Sequence, residues 1–414
     1  MYEGASRIGG HTNTVSVPTA NGSAAVDTGF IVYNEAAYPN LTALFAHLGV
    51  ATRPSEMSFA VSLADGALEY SGTNLNALFA QRRNLARPRF WSMLRDIRRF
   101  YRDAPVAAAD LDDSVTLGRF LADGAYGAAF RDDHLLPIAA AIWSAPAQTL
   151  LDYPARAFIA FCANHDLLQM TSRPAWRTVV GGSSMYLARL TDTFAHRIKT
   201  GCAVTGLSRS RSTVTVRDSE GGSTDFDHVV LACHADEALA LLSDADEGET
   251  RLLGAFAYSR NEAVLHSDAR LMPRRRAVWS SWNYTGTPQH LCVTYWMNRL
   301  QGLPHSTPFF VTLNPETVDP ALVHTRVEYT HPIFTPEALA AQRQLWSLQG
   351  SRRTWFCGAY FGAGFHEDGL QSGLAVAEAL GGVARPWQVS DPSGRIHVGA
   401  DTARQSQRVA EAAA

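Results

Sequence analysis

Several residue types and patterns are scarce in this chain of 414 residues, and each scarcity excludes a class of protein. There is one lysine, Lys199, and the formal net charge of -3 lacks the basic excess of a dedicated nucleic-acid-binding protein. No apolar run approaches the roughly 20 residues of a membrane span, and the first residues lack the basic-then-apolar order of a signal peptide. We therefore expect a soluble cytoplasmic protein that does not bind nucleic acid.

Cysteine and histidine are present, but not in patterns that bind metal. The five cysteines are an odd number without a CxxC pair, which argues against a disulfide framework and favours a reducing compartment. The histidines lack the HExxH spacing of metal sites, so no metal is expected. The GGSS segment at 181–184 is not the G-x-S-x-G turn of a serine hydrolase.

Glycine-rich turns between strands and helices recur at the start, the middle and the end of the chain. Two stretches of different character separate them, and the length favours two domains. We therefore predict an α/β fold in which a discontinuous Rossmann-like nucleotide-binding domain carries an inserted α+β substrate domain. The expected boundaries are 1–55, 171–245 and 346–390 for the first domain, 56–170 and 246–345 for the second, and 391–414 for a C-terminal tail.

Local patterns predict individual elements. Glycine-containing turns predict three hairpins, at Asn21-Gly22, Asp65-Gly66 and Gly221-Gly222. A helix is predicted from Pro39 to about Gly49, and Ser183 is predicted to cap another. Residues 75–170 are predicted to be mainly helical, with breaks at proline, namely Pro88, Pro105 and Pro137.

The N-terminal segment contains Glu3 and, shortly afterwards, Arg7 and Gly9-Gly10. An acidic residue at the end of a strand of a dinucleotide fold accepts hydrogen bonds from ribose hydroxyls. Paired glycines let backbone N–H groups approach a phosphate, where a Cβ atom would obstruct it. The alternative is a tight turn beside a solvated charge, and the segment alone does not decide between them.

Near the C-terminus a strand runs into Gly358, more glycines follow, and a helix is predicted from about Leu370. A strand that leads through glycines to a helix N-terminus suits an anion, or the negative charge that a reduced flavin ring gathers. The alternative is an ordinary βα loop with a packing glycine. Two such motifs at opposite ends of one chain favour the functional interpretation.

The segments YEGASRIGGHTNTV, RPAWRTVVGGSSMYLARL and WFCGAYFGAGFHEDGLQSG resemble the FAD-containing amine oxidase superfamily, in its branch of NAD/FAD-binding proteins. The resemblance implies that FAD is the cofactor and assigns roles to matching residues. Glu3 would bind the adenosine ribose, Val204 would contact adenine through its backbone, and Gly29 would approach the flavin ring. Arg7, Gly9 and Gly10 would lie near the pyrophosphate and ribityl chain. Lying against the ribityl and pyrimidine side of FAD would be Gly358 and the turn of Asp368, Gly369 and Leu370.

The chain departs from this family pattern at two places. The family begins with a strand, a GxGxxG loop and a helix, and these are missing before Tyr2. We therefore expect that Met1 is not the natural start and that FAD binds weakly to the chain as given. Ala359 stands where relatives often have an acidic residue, so the corresponding ribityl hydrogen bond is not expected.

The resemblance implies hydride transfer from a substrate C–H bond to flavin N5, with reoxidation by oxygen or another acceptor. His366 is the candidate polar catalytic group, and a structural histidine is the alternative. Because apolar residues dominate the segments between the FAD motifs, we expect a lipid-like substrate and a desaturation-type oxidation; these residues are Phe158, Phe161, Leu167, Leu168, Met170, Trp279, Trp282, Tyr284, Tyr295, Trp296 and Met297. Amine oxidation, isomerisation without net redox change, and a truncated non-catalytic relative stay open.

Residues 82–102 mix eight arginines with apolar residues at helical spacing. The pattern predicts an amphipathic helix packed on its own protein with arginines in solvent. The alternative is a surface that meets anionic lipid and places the protein at the membrane periphery.

Overall fold

The structure is a computed structural model, and it describes residues 1–20, 22–143, 147–165, 167–168, 175–287, 290 and 292–399. Its strands are β1 (Thr14–Thr19), β2 (Gly22–Asp27), β3 (Tyr33–Asn34), β4 (Thr52–Ser55), β5 (Phe59–Leu63), β6 (Leu68–Ser71), β7 (Trp176–Val179), β8 (Val204–Arg209), β9 (Val214–Asp218), β10 (Ser223–Phe226), β11 (Val229–Leu231), β12 (Ala257–His266), β13 (Trp282–Tyr284), β14 (Val293–Trp296), β15 (Phe310–Leu313), β16 (Val323–Ile333) and β17 (Thr354–Phe356).

Its helices are α1 (Pro39–His47), α2 (Leu75–Leu78), α3 (Pro88–Ala109), α4 (Leu117–Asp123), α5 (Ala128–Phe130), α6 (Leu136–Trp143), α7 (Ala155–Asn164), α8 (Ser184–Thr191), α9 (Ala235–Leu241), α10 (Glu247–Leu253), α11 (Met297–Leu300), α12 (Pro336–Gln342) and α13 (His366–Ala379). Three predicted features lie partly outside the described residues: the turn at Asn21, the side chain of Met170 and the tail from residue 400 onward.

A seven-stranded sheet dominates the fold, in the order β16-β12-β15-β14-β13-β5-β6. Its strands come from residues 59–71 and 257–333, and every pair is antiparallel except β13 and β5. Nearly all residues of β14 and β15 are buried, because the middle of the sheet is covered on both faces. The predicted hairpin between β5 and β6 is confirmed, with Leu63 opposite Leu68.

Short parallel pairings mark the part of the fold that resembles a nucleotide-binding domain. Strand β11 pairs in parallel with β17, and Tyr2 forms a parallel bridge to Lys199. The antiparallel meander β8-β9-β10 lies beside them, and the hairpin predicted at Gly221-Gly222 is confirmed. Cys233 and Gly358 follow the carboxyl ends of β11 and β17. Ligands of open α/β sheets bind at this end of the strands.

Of the three breaks predicted at prolines between residues 75 and 170, the one at Pro88 is confirmed, because the 3-10 helix Arg82–Ala86 ends before it and α3 begins at it. Pro137 does not break its helix, since α6 continues directly from the π-helical turn Arg131–Leu135. Pro105 lies inside α3, which continues to Ala109. The amphipathic helix itself is present, and its buried residues are Phe90, Met93, Asp96, Ile97, Phe100, Ala104 and Ala108.

Two further predictions about helix starts need correction. The side chain of Ser183 does not cap α8; its hydroxyl donates to Asp27 Oδ1 at 2.8 Å. The last helix begins at His366, four residues earlier than predicted, because Asp368 Oδ2 accepts the Phe365 N–H at 2.8 Å. The described part of the C-terminal segment packs on the protein, since Ile396 is buried.

Candidate active site

A cavity of about 740 Å³ opens where the two parts of the fold meet. Its walls come from the N-terminal glycine segment, the loops after β11 and β17, the start of α13, and the large sheet with its helices. Six of the ten predicted cofactor-binding residues line it: Glu3, Gly10, Gly29, Gly358, Gly369 and Leu370. The fold therefore brings the first and the last motif of the sequence together.

At two positions in or beside this wall, glycine is needed because neighbouring atoms approach the backbone too closely for a side chain. A Cβ atom on Gly29 would lie 2.2 Å from the carbonyl oxygen of His11, so the bare backbone packs directly on the N-terminal segment. Gly9 has a φ of 105°, and a Cβ atom there would lie 2.3 Å from Leu187. These two glycines hold the turn that presents Gly10 to the cavity.

Four predicted cofactor residues do not line the cavity: Arg7, Gly9, Val204 and Asp368. The Arg7 guanidinium donates to the carbonyl oxygens of Gly10 (2.8 Å) and Thr12 (3.3 Å), so it braces the glycine turn. Val204 opens strand β8. Asp368 lies in the first turn of α13, where its buried carboxylate pairs with Arg395 at 2.6 Å.

His366, the candidate catalytic residue, lies at the first position of α13 and lines the cavity. Its Nε2 lies 2.6 Å from the hydroxyl of Tyr186, and that hydroxyl lies 2.6 Å from Thr12 Oγ1. The ring stacks on Phe30 with centroids 4.1 Å apart. Burial lowers the pKa of His366 to about 4, so the imidazole is neutral at pH 7. A neutral imidazole in a cavity can accept a proton.

Besides His165, three other histidines line the same cavity and were not assigned a role from the sequence: His11, His234 and His331. We call them the histidine cluster. His11 stacks on Tyr329 with centroids 4.6 Å apart and meets His331 edge-on at 5.1 Å. His234 stacks on Tyr258 at 4.3 Å. The one available signal was that His11 directly follows the paired glycines, since residues 234 and 331 are far away in sequence.

Most of the wall that comes from the large sheet and its helices is apolar, although Thr330 and His331 of β16 also line it. Of the residues predicted to form an apolar pocket, four line the cavity: Phe161, Leu167, Trp282 and Tyr295. Phe158, Tyr284 and Met297 are buried in the core, and Leu168, Trp279 and Trp296 lie elsewhere. We call the following set the apolar wall: Met57, Ile142, Trp143, Phe161, Leu167, Trp176, Trp282, Tyr295 and Leu313.

All five cysteines are free thiols. Within the described ranges, no group of three or more His, Cys, Asp or Glu side chains could hold a metal ion. None of the described helices combines the length and the apolar character that a bilayer crossing requires.

Solved structures share this fold at low sequence identity. A putrescine oxidase variant is 14% identical, with a TM-score of 0.67 and 92% of each chain covered. Cyclohexylamine oxidase from Brevibacterium oxydans is 16% identical, with a TM-score of 0.62, 92% of this chain and 93% of that chain covered. A CLA-producing fatty acid isomerase from P. acnes is 14% identical, with a TM-score of 0.59 and 89% of each chain covered. These similarities confirm the predicted α/β fold with a substrate domain.

Comparison with curated protein sequences finds no match. The sequence profile described as flavin containing amine oxidoreductase matches residues 1–307, well over half of the 414 residues. The cavity fits its cofactor in two respects: glycine backbone lines it, and the Nε2 of His11 is a buried polar atom without a partner in the described structure. The chain therefore belongs to the flavin-containing amine oxidoreductase family, whose cofactor is FAD.

Proposed function

We propose that this FAD-dependent oxidoreductase dehydrogenates an apolar, lipid-like molecule. The observation that carries the proposal is the charge of the cavity lining. Among the described lining residues the only carboxylates are Glu3 and Glu237. Glu3 Oε1 accepts the Ala5 N–H, and Glu237 Oε2 accepts the His234 N–H. The apolar wall thus offers no carboxylate to a cationic amine, whereas it suits an acyl chain or polyene.

The proposed cofactor contacts follow the motifs that line the cavity. Glu3 binds the ribose, Gly10 lies at the pyrophosphate, and Gly29, Gly358, Gly369 and Leu370 lie along the ribityl chain and ring. Arg7, Gly9 and Asp368 act indirectly, through the glycine turn and the start of α13. Val204 is proposed to contact adenine through its backbone. When bound, FAD supplies the group that accepts a hydride.

The proposed catalytic residue is His366, which takes the proton that leaves the substrate together with the hydride. If the hydroxyl of Tyr186 donates to Thr12, it accepts a hydrogen bond from His366 Nε2. The imidazole then carries its proton on Nε2, and Nδ1 is a free acceptor. The same bond from Nε2 to Tyr186 stabilises the imidazolium that forms. Oxygen or another acceptor completes the cycle by taking the electrons.

Contact with a membrane surface through residues 82–102 is part of the proposal. Trp91 is 49% exposed and Leu85 is 51% exposed, and arginines surround them. An exposed tryptophan and leucine among arginines suit an anionic lipid surface. Cosedimentation with anionic and with neutral vesicles checks this contact, and Trp91→Ala is expected to weaken only the binding to anionic vesicles.

Amine oxidation is the second candidate, because Trp282 and Tyr295 meet at right angles in the apolar wall, 4.9 Å apart. Aromatic faces attract an alkylammonium ion by cation–π interaction. Two of the similar structures are named as amine oxidases, putrescine oxidase and cyclohexylamine oxidase.

One experiment separates the two candidates. FAD-loaded protein is mixed without oxygen with acyl lipids or with primary amines and diamines, and the visible flavin absorbance is followed. We expect loss of absorbance with acyl lipids. Loss with amines alone would favour the second candidate, and a loaded protein that neither group reduces would contradict both.

A further inference from the structure

The cavity is lined by many groups, but its described lining contains no arginine and no lysine. The lining side chains that can become cationic are histidines: His11, His165, His234, His331 and His366. FAD carries a pyrophosphate, whose two negative charges need compensation in a partly enclosed site. The compensation must come from backbone N–H groups, from helix ends or from these imidazoles.

The histidine cluster has free hydrogen-bonding capacity. Nε2 of His11 is buried and has no hydrogen-bond partner in the described structure. The Asn261 amide lies 3.0 Å from Nδ1 of His331, and Oδ1 of the same amide accepts a bond from Asn314. Asn261 therefore donates to His331 Nδ1, which leaves the proton of a neutral His331 on Nε2. Neutral His331 therefore already offers the N–H group of its Nε2 to an anion, and His11 can offer one from its Nε2 once that atom carries a proton.

We propose that the histidine cluster takes up a proton when the pyrophosphate of FAD binds, so that the affinity for FAD rises as the pH falls. His11 directly follows Gly10, which lines the cavity at the glycine turn, and Gly29 packs on its carbonyl group. The family resemblance places Gly10 near the pyrophosphate and Gly29 near the flavin ring, so His11 lies between these two parts of the proposed FAD site. The inference goes beyond the proposed substrate and does not depend on it.

The charges around the histidine cluster support this coupling between FAD binding and protonation. Burial and the neighbouring His331 lower the pKa of His11 to about 3, and burial and His234 lower that of His331 to about 4. Both rings are neutral at pH 7 in the protein without FAD. A nearby anion favours the charged form and raises both pKa values. The other titratable groups that face the cluster are Glu3, Arg7, Glu237, Tyr258, Tyr329 and His366.

The sign of the effect follows from linkage. At pH values between the low histidine pKa of the free protein and the raised pKa of the complex, the complex binds more protons than the separate protein and FAD do. In that window the dissociation constant falls about tenfold per pH unit for each proton taken up. Below about pH 4 both states are protonated at His331, and the dependence levels off.

The test is equilibrium titration of the apoprotein with FAD from about pH 5 to about pH 8.5, the window in which uptake is expected. Riboflavin, which has no phosphate, is titrated in parallel. We expect FAD to bind more weakly as the pH rises, by up to about tenfold per pH unit until the raised pKa of the complex is passed, and riboflavin to show no such trend. Calorimetry in two buffers of different ionisation enthalpy measures the proton uptake directly.

His11→Gln and His331→Gln are each expected to reduce the slope for FAD and leave riboflavin binding unchanged. His305→Gln, at an exposed histidine outside the cavity, should keep the full slope. Near-ultraviolet circular dichroism checks that each variant is folded, and the His331 variant keeps the test decisive if the His11 variant does not fold.

Three results would overturn the proposal: an FAD affinity that does not change with pH, equal slopes for FAD and riboflavin, and no FAD binding at any pH. The phosphate of a phospholipid headgroup is another anion that the cluster could hold. Titration with a short-chain phosphatidic acid distinguishes it, because pH-dependent binding of that lipid with pH-independent binding of FAD would assign the cluster to the substrate. None of these results depends on which substrate the enzyme oxidises.

Discussion

Tyr186 and His366 are joined by a hydrogen bond of 2.6 Å between the tyrosine hydroxyl and Nε2 of the imidazole. The bond links α8 to the first residue of α13, and Thr12 extends it to the N-terminal segment. Burial raises the pKa of Tyr186 to about 12, so the phenol stays protonated at neutral pH. Of the two side chains, therefore, only the imidazole changes its protonation state below neutral pH.

The first prediction concerns this imidazole. His366→Gln should slow anaerobic flavin reduction by substrate about 10²–10⁴-fold, the usual contribution of a general base. In the unchanged protein the rate should rise with pH through a midpoint of about 4 and stay level above it, because the base must be neutral. Stopped-flow absorbance after a pH jump measures both.

Tyr186→Phe removes the acceptor for the imidazolium and should slow the same step about 10–100-fold, since a hydrogen bond to a charged group contributes about 1.5–3 kcal/mol. His47→Gln, at an exposed histidine, is the matched control and should change nothing. If the rate of flavin reduction in His366→Gln still rises with pH through the same midpoint, another group is the base.

The second prediction concerns the buried pair of Asp368 and Arg395, which fastens residues 391–399 to α13. Arg395→Ala leaves a fully buried carboxylate without its cation and should lower the free energy of unfolding by about 3–5 kcal/mol. Arg119→Ala breaks an exposed pair with Asp123 and should cost less than about 1 kcal/mol. Denaturant titration compares them, and equal losses would contradict a fastening role.

The glycines of the site could be predicted from the sequence because each requirement is local. A left-handed φ at Gly9, or a backbone contact at Gly29, excludes a side chain whatever the rest of the fold does. The hairpins at Asp65-Gly66 and Gly221-Gly222 could be predicted for the same reason, since a tight turn depends on a few neighbouring residues.

The rest of the site depends on long-range packing that no local pattern records. His11 and His331 meet only because the N-terminal turn lies against the end of β16. The resemblance implied a contact of Asp368 with FAD, whereas its carboxylate caps α13 and pairs with a residue 27 positions later. No sequence pattern indicated a role for Asp27, yet its carboxylate accepts hydrogen bonds from Thr14, Ser183 and Gln301.

The third prediction concerns Gly29. Gly29→Ala places a Cβ atom 2.2 Å from the carbonyl oxygen of His11, so the N-terminal turn must shift. We expect a loss of more than about 2 kcal/mol in stability, or FAD binding at least about tenfold weaker where the fold adapts. Gly72→Ala is the control, because nothing lies within 4 Å of a Cβ atom there. Thermal melting with and without FAD measures both effects.

The fourth prediction concerns Pro105, the proline that α3 tolerates in its interior. Pro105→Ala restores a backbone N–H donor and relieves the clash with the preceding turn. It should raise the free energy of unfolding by about 1–3 kcal/mol. Val106→Ala, at the exposed neighbouring position, should have a much smaller effect. A Pro105→Ala variant that is no more stable would show that the packing around α3 already accommodates the proline at this position.

The last prediction concerns the apolar wall and rests on the proposed lipid-like substrate. If an acyl chain lies along this wall, each methylene group that leaves water contributes about 0.8 kcal/mol. The apparent dissociation constant in anaerobic flavin titrations should then fall about threefold to fourfold per methylene, until the chain fills the cavity. Beyond that length the constant should level off or rise.

A substitution in the wall tests the same point from the side of the protein. Ile142→Glu places a carboxylate in the wall, and because a buried charge is costly to desolvate, acyl lipids should bind at least about tenfold more weakly. Val106→Glu makes the same change at a side chain that is 75% exposed and should leave binding unchanged. An Ile142→Glu variant that keeps its acyl affinity and gains affinity for amines would show that the chain uses this wall for a cation instead.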